Sequence, residues 1–455
     1  MVVTGGKVHV REATVDGREF RVELQFFKTR HQGAVWNAVG RDPAGNIYLG
    51  NSTWGTNAYL YRLTPKTGRM RFVSDLLSKV RFGGPGGLDN GKIHSSFIDG
   101  PDGCQYFLSH CSWSSDIRYG GHLWKYDPKA DRIIDLGVPV PGNTNFCLTP
   151  IDQKRGCSYM MSTSSGVFVR YDYASDSYTA IEWTGMNYVR HMPMDKAGNL
   201  HVFWNNRVYK FDPRVGTWRT IIRHGTTPGE GVMFDPVKDF SPSTSYVWGR
   251  DRKRLYFLNY KAGSAFSWDV GSPTVKPLGR MHPDKDTDLY LTNVHLSADQ
   301  KRLYSIGATD RKTNKGVYMR DLVSGTSHKL CAIDDIIAHE CEGKLPSERI
   351  ILYFCDFGGT VGDDGTMYVG MHGGGRFKDD ERDGKWLVAL VAIRVTAEGE
   401  KAKARPKPEF PAPIAPVRWP AAEMALAKRE VGRQITNVGV VDSYRMAVRA
   451  ADREV

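Results

Sequence analysis

The seven cysteines of this chain include no C-x-x-C pair, and no apolar stretch reaches membrane-spanning length. The first excludes a zinc ribbon by spacing, and an odd cysteine count argues against a full disulfide framework. The second leaves no candidate membrane helix, which needs about 18 consecutive apolar residues. Met1-Val2-Val3-Thr4-Gly5 is not a basic patch feeding an apolar run. The chain therefore carries no export signal and reads as cytoplasmic, or as secreted or periplasmic if a signal was trimmed. Carboxylates are in deficit: 50 Asp and Glu face 62 Lys and Arg, for a formal charge of +12. Such a balance favours an anionic partner without choosing between nucleic acid, polysaccharide and lipid. No basic stripe interleaves regularly with aromatics, so nucleic acid is the weakest of these.

What the chain does have is 48 Gly together with 11 Trp, 21 Tyr and 19 Phe in 455 residues. The aromatics supply a core, and the spread of glycine points to many turns between short strands. The turns repeat. Asp42-Pro43-Ala44-Gly45, Gly100-Pro101-Asp102-Gly103, Asp152 to Gly156, Asp195-Lys196-Ala197-Gly198, Asp251 to Arg254, Asp299 to Arg302 and Asp363-Asp364-Gly365 each precede a short strand containing Tyr, Phe or His. Their spacing of roughly 40 to 65 residues is that of propeller blades. One blade cannot bury both of its faces, so the units must close a ring. The expectation is an all-β, seven-bladed β-propeller over residues 1–395. Lys7 to Gln25 should complete the last blade as an outer strand, beside inner strands from Ile350 to Val395. Residues 396–455 begin as a strap rich in Pro, Lys and Arg, and Ala421 to Arg433 reads as a short amphipathic helix.

Antiparallel neighbours reverse direction, so the start of each innermost strand and the end of the next share the face opposite their connecting turn. That face collects His, Tyr, Arg, Asn and Trp. Lys92-Ile93-His94 and Ser109-His110-Cys111 put two His at the same end of adjacent strands. Asn187-Tyr188-Val189-Arg190-His191 and Trp204-Asn205-Asn206-Arg207 put a Tyr and an Arg at the equivalent place two blades on. Trp113, Tyr246 and His295 fall on the same face. Such a set suits an anionic sugar, with Arg and His on a carboxylate and aromatics on sugar faces. His191 and His201 read as structural, because their register differs.

These stretches resemble the seven-bladed propeller polysaccharide lyases, of the ulvan lyase and rhamnosyl-glucuronate lyase type. The likeness spans about residues 7 to 395 and is strongest from Gly91 to Cys111. It implies a polysaccharide lyase (carbon–oxygen lyase) acting on a glucuronate- or iduronate-containing glycan by β-elimination. It also implies a catalytic set of His94, His110, Tyr188 and Arg207, with Arg190 as the alternative arginine. Arg190, Trp113, Tyr246 and His295 are the expected substrate contacts. Elimination at a uronate needs its carboxylate neutralised, a base for the C5 proton and an acid for the leaving oxygen. Arg and His can neutralise the charge, so no cofactor is required. For a structural metal, zinc or calcium, His339, Cys341, Cys355 and His372 form a candidate Cys/His set, with separate buried thiols as the other reading. Two rivals remain: a propeller glycoside hydrolase acting next to a uronate through carboxylates or a lone His, and a non-catalytic propeller docking through its basic face. The expected partner is an anionic polysaccharide or oligosaccharide.

Overall fold

The computed structural model describes residues 2–31, 33–52, 57–80, 91–110, 120–140, 143, 145–162, 166–186, 189–204, 207–223, 245–258, 263–284, 287, 289–291, 293–309, 313–340, 351–374 and 387–398. Its strands form seven antiparallel sheets that succeed one another along the chain. Each sheet is one blade of a β-propeller, numbered here from the N-terminus. Seven hydrophobic clusters separate them, one for each contact between neighbouring blades. The contact of blade 7 with blade 1 is among them, through Tyr368 and Leu390 packed with Val39 and Leu49, so the ring is closed.

The repeated turns fall where the sequence places them, each joining the innermost strand of a blade to the next strand outward. In blade 1 the turn at Asp42 joins Val39–Arg41 to Ile47–Ser52. Five of the seven turns set a glycine at positive φ: Gly45, Gly103, Gly156, Gly198 and Gly365. The two without glycine use Arg252 at φ 53 and Gln300 at φ 63 instead, a conformation uncommon for side chains of that size. In blades 1 and 4 the turn's first Asp also anchors the start of the second strand. Asp42 accepts hydrogen bonds from the Asn46 amide and Nδ2, both at 2.8 Å, and from the Tyr48 hydroxyl at 2.7 Å. Asp195 accepts from the Asn199 amide and Nδ2, both at 2.9 Å, and pairs with His201 Nε2 at 3.1 Å. His201 is therefore structural, as its register indicated. Asp195→Ala would leave these donors buried without their acceptor, and a destabilisation of about 2–3 kcal/mol is expected in denaturant unfolding.

Ring closure uses more of the N-terminus than a single outer strand. Val8–Val15 and Arg18–Lys28 form a hairpin that supplies both outer strands of blade 7. Its second strand pairs with Leu387–Ala397, from Phe20 opposite Ala397 to Lys28 opposite Ala389. Ahead of the hairpin, Val2–Thr4 adds a fifth strand to the outer edge of blade 1. The edges of the first and last blades are thus both covered by the N-terminus. The single α-helix among the described residues, Asp334–Glu340, lies between blades 6 and 7. The expected helix at 421–433 and the strap before it lie outside the described residues. No helix among the described residues is long and apolar enough to cross a membrane.

Among the described residues three innermost strands are interrupted; in blade 6 the break falls between Tyr290–Leu291 and His295–Leu296. In blade 2 the ladder breaks between Lys92–Ile93 and Ile98–Asp99. There the Ser95 hydroxyl accepts from the Leu108 amide at 2.7 Å, replacing a backbone carbonyl. In blade 4 the innermost strand is reduced to an isolated bridge between Met194 and Leu200. Pro193 has no N–H to extend it, although its carbonyl still accepts from the His201 amide at 3.0 Å. Arg190 and His191, just before it, therefore stand ahead of the strand ladder rather than within it.

Candidate functional site

The face opposite the turns gathers one compact polar cluster from blades 7, 1, 2 and 4. His94 lies at the break in the innermost strand of blade 2, just after Lys92–Ile93, and His110 ends the neighbouring strand; their rings meet edge to face with centroids 5.1 Å apart. Arg190 reaches them from blade 4: its Nη1 donates to His94 Nε2 at 3.1 Å. A guanidinium can only donate, so neutral His94 carries its proton on Nδ1. Blade 3 lies between these two blades in the ring, and this bond bypasses it.

Lys92 completes the cationic side. It lies two residues before His94 and is among the charges that act on that imidazole. Its ammonium lies 5.7 Å from the centroid of the Trp36 ring. Trp36 itself stands edge-on to His94 at 5.8 Å and tilted against His372 at 5.1 Å. Asn37, at φ 55, turns the chain sharply beside it, and its carbonyl accepts from the Val39 amide at 3.0 Å. His372 is fully buried near the end of the second strand of blade 7, its Nδ1 accepting from the Val35 amide at 3.2 Å.

The electrostatics of the cluster run in one direction. Burial first, then Arg190, His110 and Lys92, hold His94 well below the ordinary imidazole range. Burial, then Lys92 and Arg190, do the same to His110. Burial lowers His372 to about 3, against the opposing bond from Val35. Burial and then Arg190 bring Lys92 down to about 8. At neutral pH the site thus holds neutral imidazoles beside two cations that repel each other. An anion entering it would relieve that repulsion.

Lys92 yields a prediction with a worked sign. Its folded value of about 8 lies below the usual 10.5, so the unfolded chain binds the extra proton between those limits. Stability should rise with pH across that window, and the cost is fully present below about 8. Lys92→Met is therefore expected to stabilise the protein by about 1–3 kcal/mol at pH 7, with the gain vanishing above the usual lysine value. Melting curves across pH check both the gain and its loss.

The other expected residues are spread more widely. Arg207 is exposed at the start of the strand Arg207–Asp212, paired with Trp204 and Arg223. Of the two arginines, the one that touches the His pair is Arg190. Tyr246 lies on the innermost strand of blade 5, edge-on to His191 at 5.3 Å. His295 is buried deeper along blade 6, against Gly359 of blade 7, where a Cβ would meet its Cε1 at 3.0 Å. Tyr188 and Trp113 lie outside the described residues. In the expected Cys/His metal set, His372 is engaged with Val35 and Trp36, whereas His339 stands 5.4 Å from the His9 ring. These two belong to different clusters, and Cys341 and the Cys355 side chain fall outside the described part. Sequence reasoning assigned no role to Lys92, and it assigned His372 to a metal. Nearness to His94 in the sequence was the available signal for Lys92, and none existed for a pairing of His372 with Val35.

No family profile matches the sequence, and no curated protein matches it. Among solved structures the chain is similar to virginiamycin B lyase from Staphylococcus aureus, at 11% identity and a TM-score of 0.52, over 82% of this chain and 99% of that one. It is also similar to an auxiliary nutrient binding protein from Bacteroides thetaiotaomicron, at 13% identity and a TM-score of 0.40, over 67% of this chain and 73% of that one. Likeness at these identities is one of fold.

Proposed function

We propose that this chain is a polysaccharide lyase that cleaves a uronate-containing glycan by β-elimination at the cluster around His94. The observation that carries the reading is the bond from Arg190 to His94 inside a buried group that also holds Lys92 and His110. Two cations and two neutral imidazoles in one desolvated site meet the first demands of the reaction. A uronate C5 proton becomes removable when the adjacent carboxylate is neutralised, and Arg190 and Lys92 are placed to do that.

Arg190 holds His94 in check, since its guanidinium occupies the Nε2 lone pair. A substrate carboxylate competes for that guanidinium. Once Arg190 turns to the carboxylate, Nε2 can accept a proton, and the substrate's negative charge offsets the field that depresses imidazole basicity. The base takes the C5 proton, the C5–H electrons form the C4–C5 double bond, and the C4–O bond breaks. An acid then protonates the departing oxygen. His94 and Tyr188 share these two roles, the latter by resemblance to the propeller lyases, and the C5 configuration of the sugar decides which acts as base. His110 supports the carboxylate beside Arg190.

A retaining or inverting hydrolase would need a pair of carboxylates around the scissile bond. The half-buried carboxyl raised to about 6, Asp99, lies at the turn end of its strand, bonded to Gln105. That is the opposite end from His94. Comparing a native uronate polymer with the same polymer after carboxyl reduction tests the reading. Native polymer should be cleaved and the reduced polymer left intact. Equal cleavage of both would remove the carboxylate from the mechanism and the lyase with it.

A further inference from the structure

Away from that face, His9, His339 and Glu340 converge at the outer side of blade 7. His9 Nε2 lies 2.8 Å from Glu340 Oε1, and His339 Nδ1 lies 3.6 Å from the same oxygen. One ligand atom from each of the three lies within 4.8 Å of the other two. We propose that these residues form a divalent-metal site suited to zinc, which clips the N-terminal hairpin to the helix Asp334–Glu340.

The donor set is two imidazoles and one carboxylate, which zinc accepts readily. Donors about 2.0–2.1 Å from a tetrahedral ion stand about 3.3–3.4 Å from one another. The two separations to Glu340 bracket that value, so small side-chain rotations would complete the polygon. Exposure fits as well. Glu340 is 5% exposed and His9 11%, while His339 is 68% exposed. Two ligands are thus fixed from inside and the third closes from solvent, leaving a fourth position for water.

A supporting shell is already in place. Lys28 Nζ donates to Glu340 Oε2 at 3.0 Å and to the Glu340 carbonyl at 2.7 Å. That fixes the carboxylate and keeps the ammonium on the far oxygen, away from the His side. Arg11 pairs with Asp335 one turn earlier on the helix, so the hairpin and helix are already aligned. Because His9 comes from the hairpin that closes the ring and Glu340 from the helix before blade 7, occupancy would stabilise closure by mass action.

Zinc itself is the probe, added to chelator-treated full-length protein and followed by calorimetry and melting. The wild type should bind zinc and melt at a higher temperature when loaded. His339→Ala removes an exposed ring and leaves the His9–Glu340–Lys28 contacts in place, so its metal-free melting temperature should match the wild type. Its zinc affinity should fall by at least about tenfold, the loss typical of damage to a metal shell. His9→Gln should lose the zinc response similarly. Zinc binding unchanged in both variants, or no binding by the wild type, would overturn the proposal.

Discussion

Arg190→Ala is expected to lower kcat/KM on a uronate-containing polysaccharide by about 10²–10³-fold, the usual cost of removing one donor from a developing oxyanion. Arg190 is half-buried and precedes the isolated bridge at Met194, so the fold should persist and the loss should be chemical. A second readout separates this from simple damage. Burial is the larger cause of the depressed His94 value, and Arg190 the next. Removing the guanidinium should raise that value towards the ordinary imidazole range. On a substrate for which His94 is the base, the acid limb of the pH–rate profile should then move to higher pH, because the basic form is lost earlier as pH falls. Arg190→Lys keeps the charge without the planar fork and should recover only part of the rate. Arg207→Ala is the companion measurement: exposed and apart from the His pair, it should leave kcat/KM within a few-fold of the wild type.

Leu24→Asp is expected to cost about 4 kcal/mol or more, enough to unfold much of the protein at 37 °C. Leu24 lies opposite Ile393 in the strand pairing that closes the ring. It is fully buried in the cluster that joins blades 6 and 7 to the hairpin and the helix. A carboxylate there would have to stay neutral or drag in water. The chain already places carboxylates at Glu19 and Glu23 on this strand, at exposed or half-buried positions. Charge on the strand is tolerated, and only its direction matters. Equilibrium unfolding of the variant, compared with Asp195→Ala at a single turn, separates failure of ring closure from a local defect.

The blades were legible in the sequence because their turns are local. Asp42 to Gly45 and Asp195 to Gly198 carry their turn chemistry within four residues, and the strands after them need no distant partner to be recognised. Ring closure was readable from alternation in Lys7 to Gln25. That this segment forms a hairpin, and that Val2–Thr4 crosses to blade 1, depends on which edges remain open after the ring forms. The His94–His110 pair was readable because both residues sit in one blade. Arg190 was harder to separate from Arg207, since that choice rests on the break in the blade 4 ladder at Pro193. The contact of His372 with Val35 joins residues 337 apart, and no periodicity reports it. His9 with Glu340 is the same kind of case at 331.

The central claim is elimination, and ultraviolet absorbance of the product tests it most directly. Purified protein is incubated in turn with ulvan, glucuronan, a rhamnosyl-glucuronate oligosaccharide and heparinoid chains. β-Elimination leaves a double bond conjugated to the uronate carboxylate, so absorbance should rise on at least one substrate and fail to rise with His94→Ala or Arg190→Ala. Chain cleavage with no rise in absorbance would contradict the account and assign the site to hydrolysis.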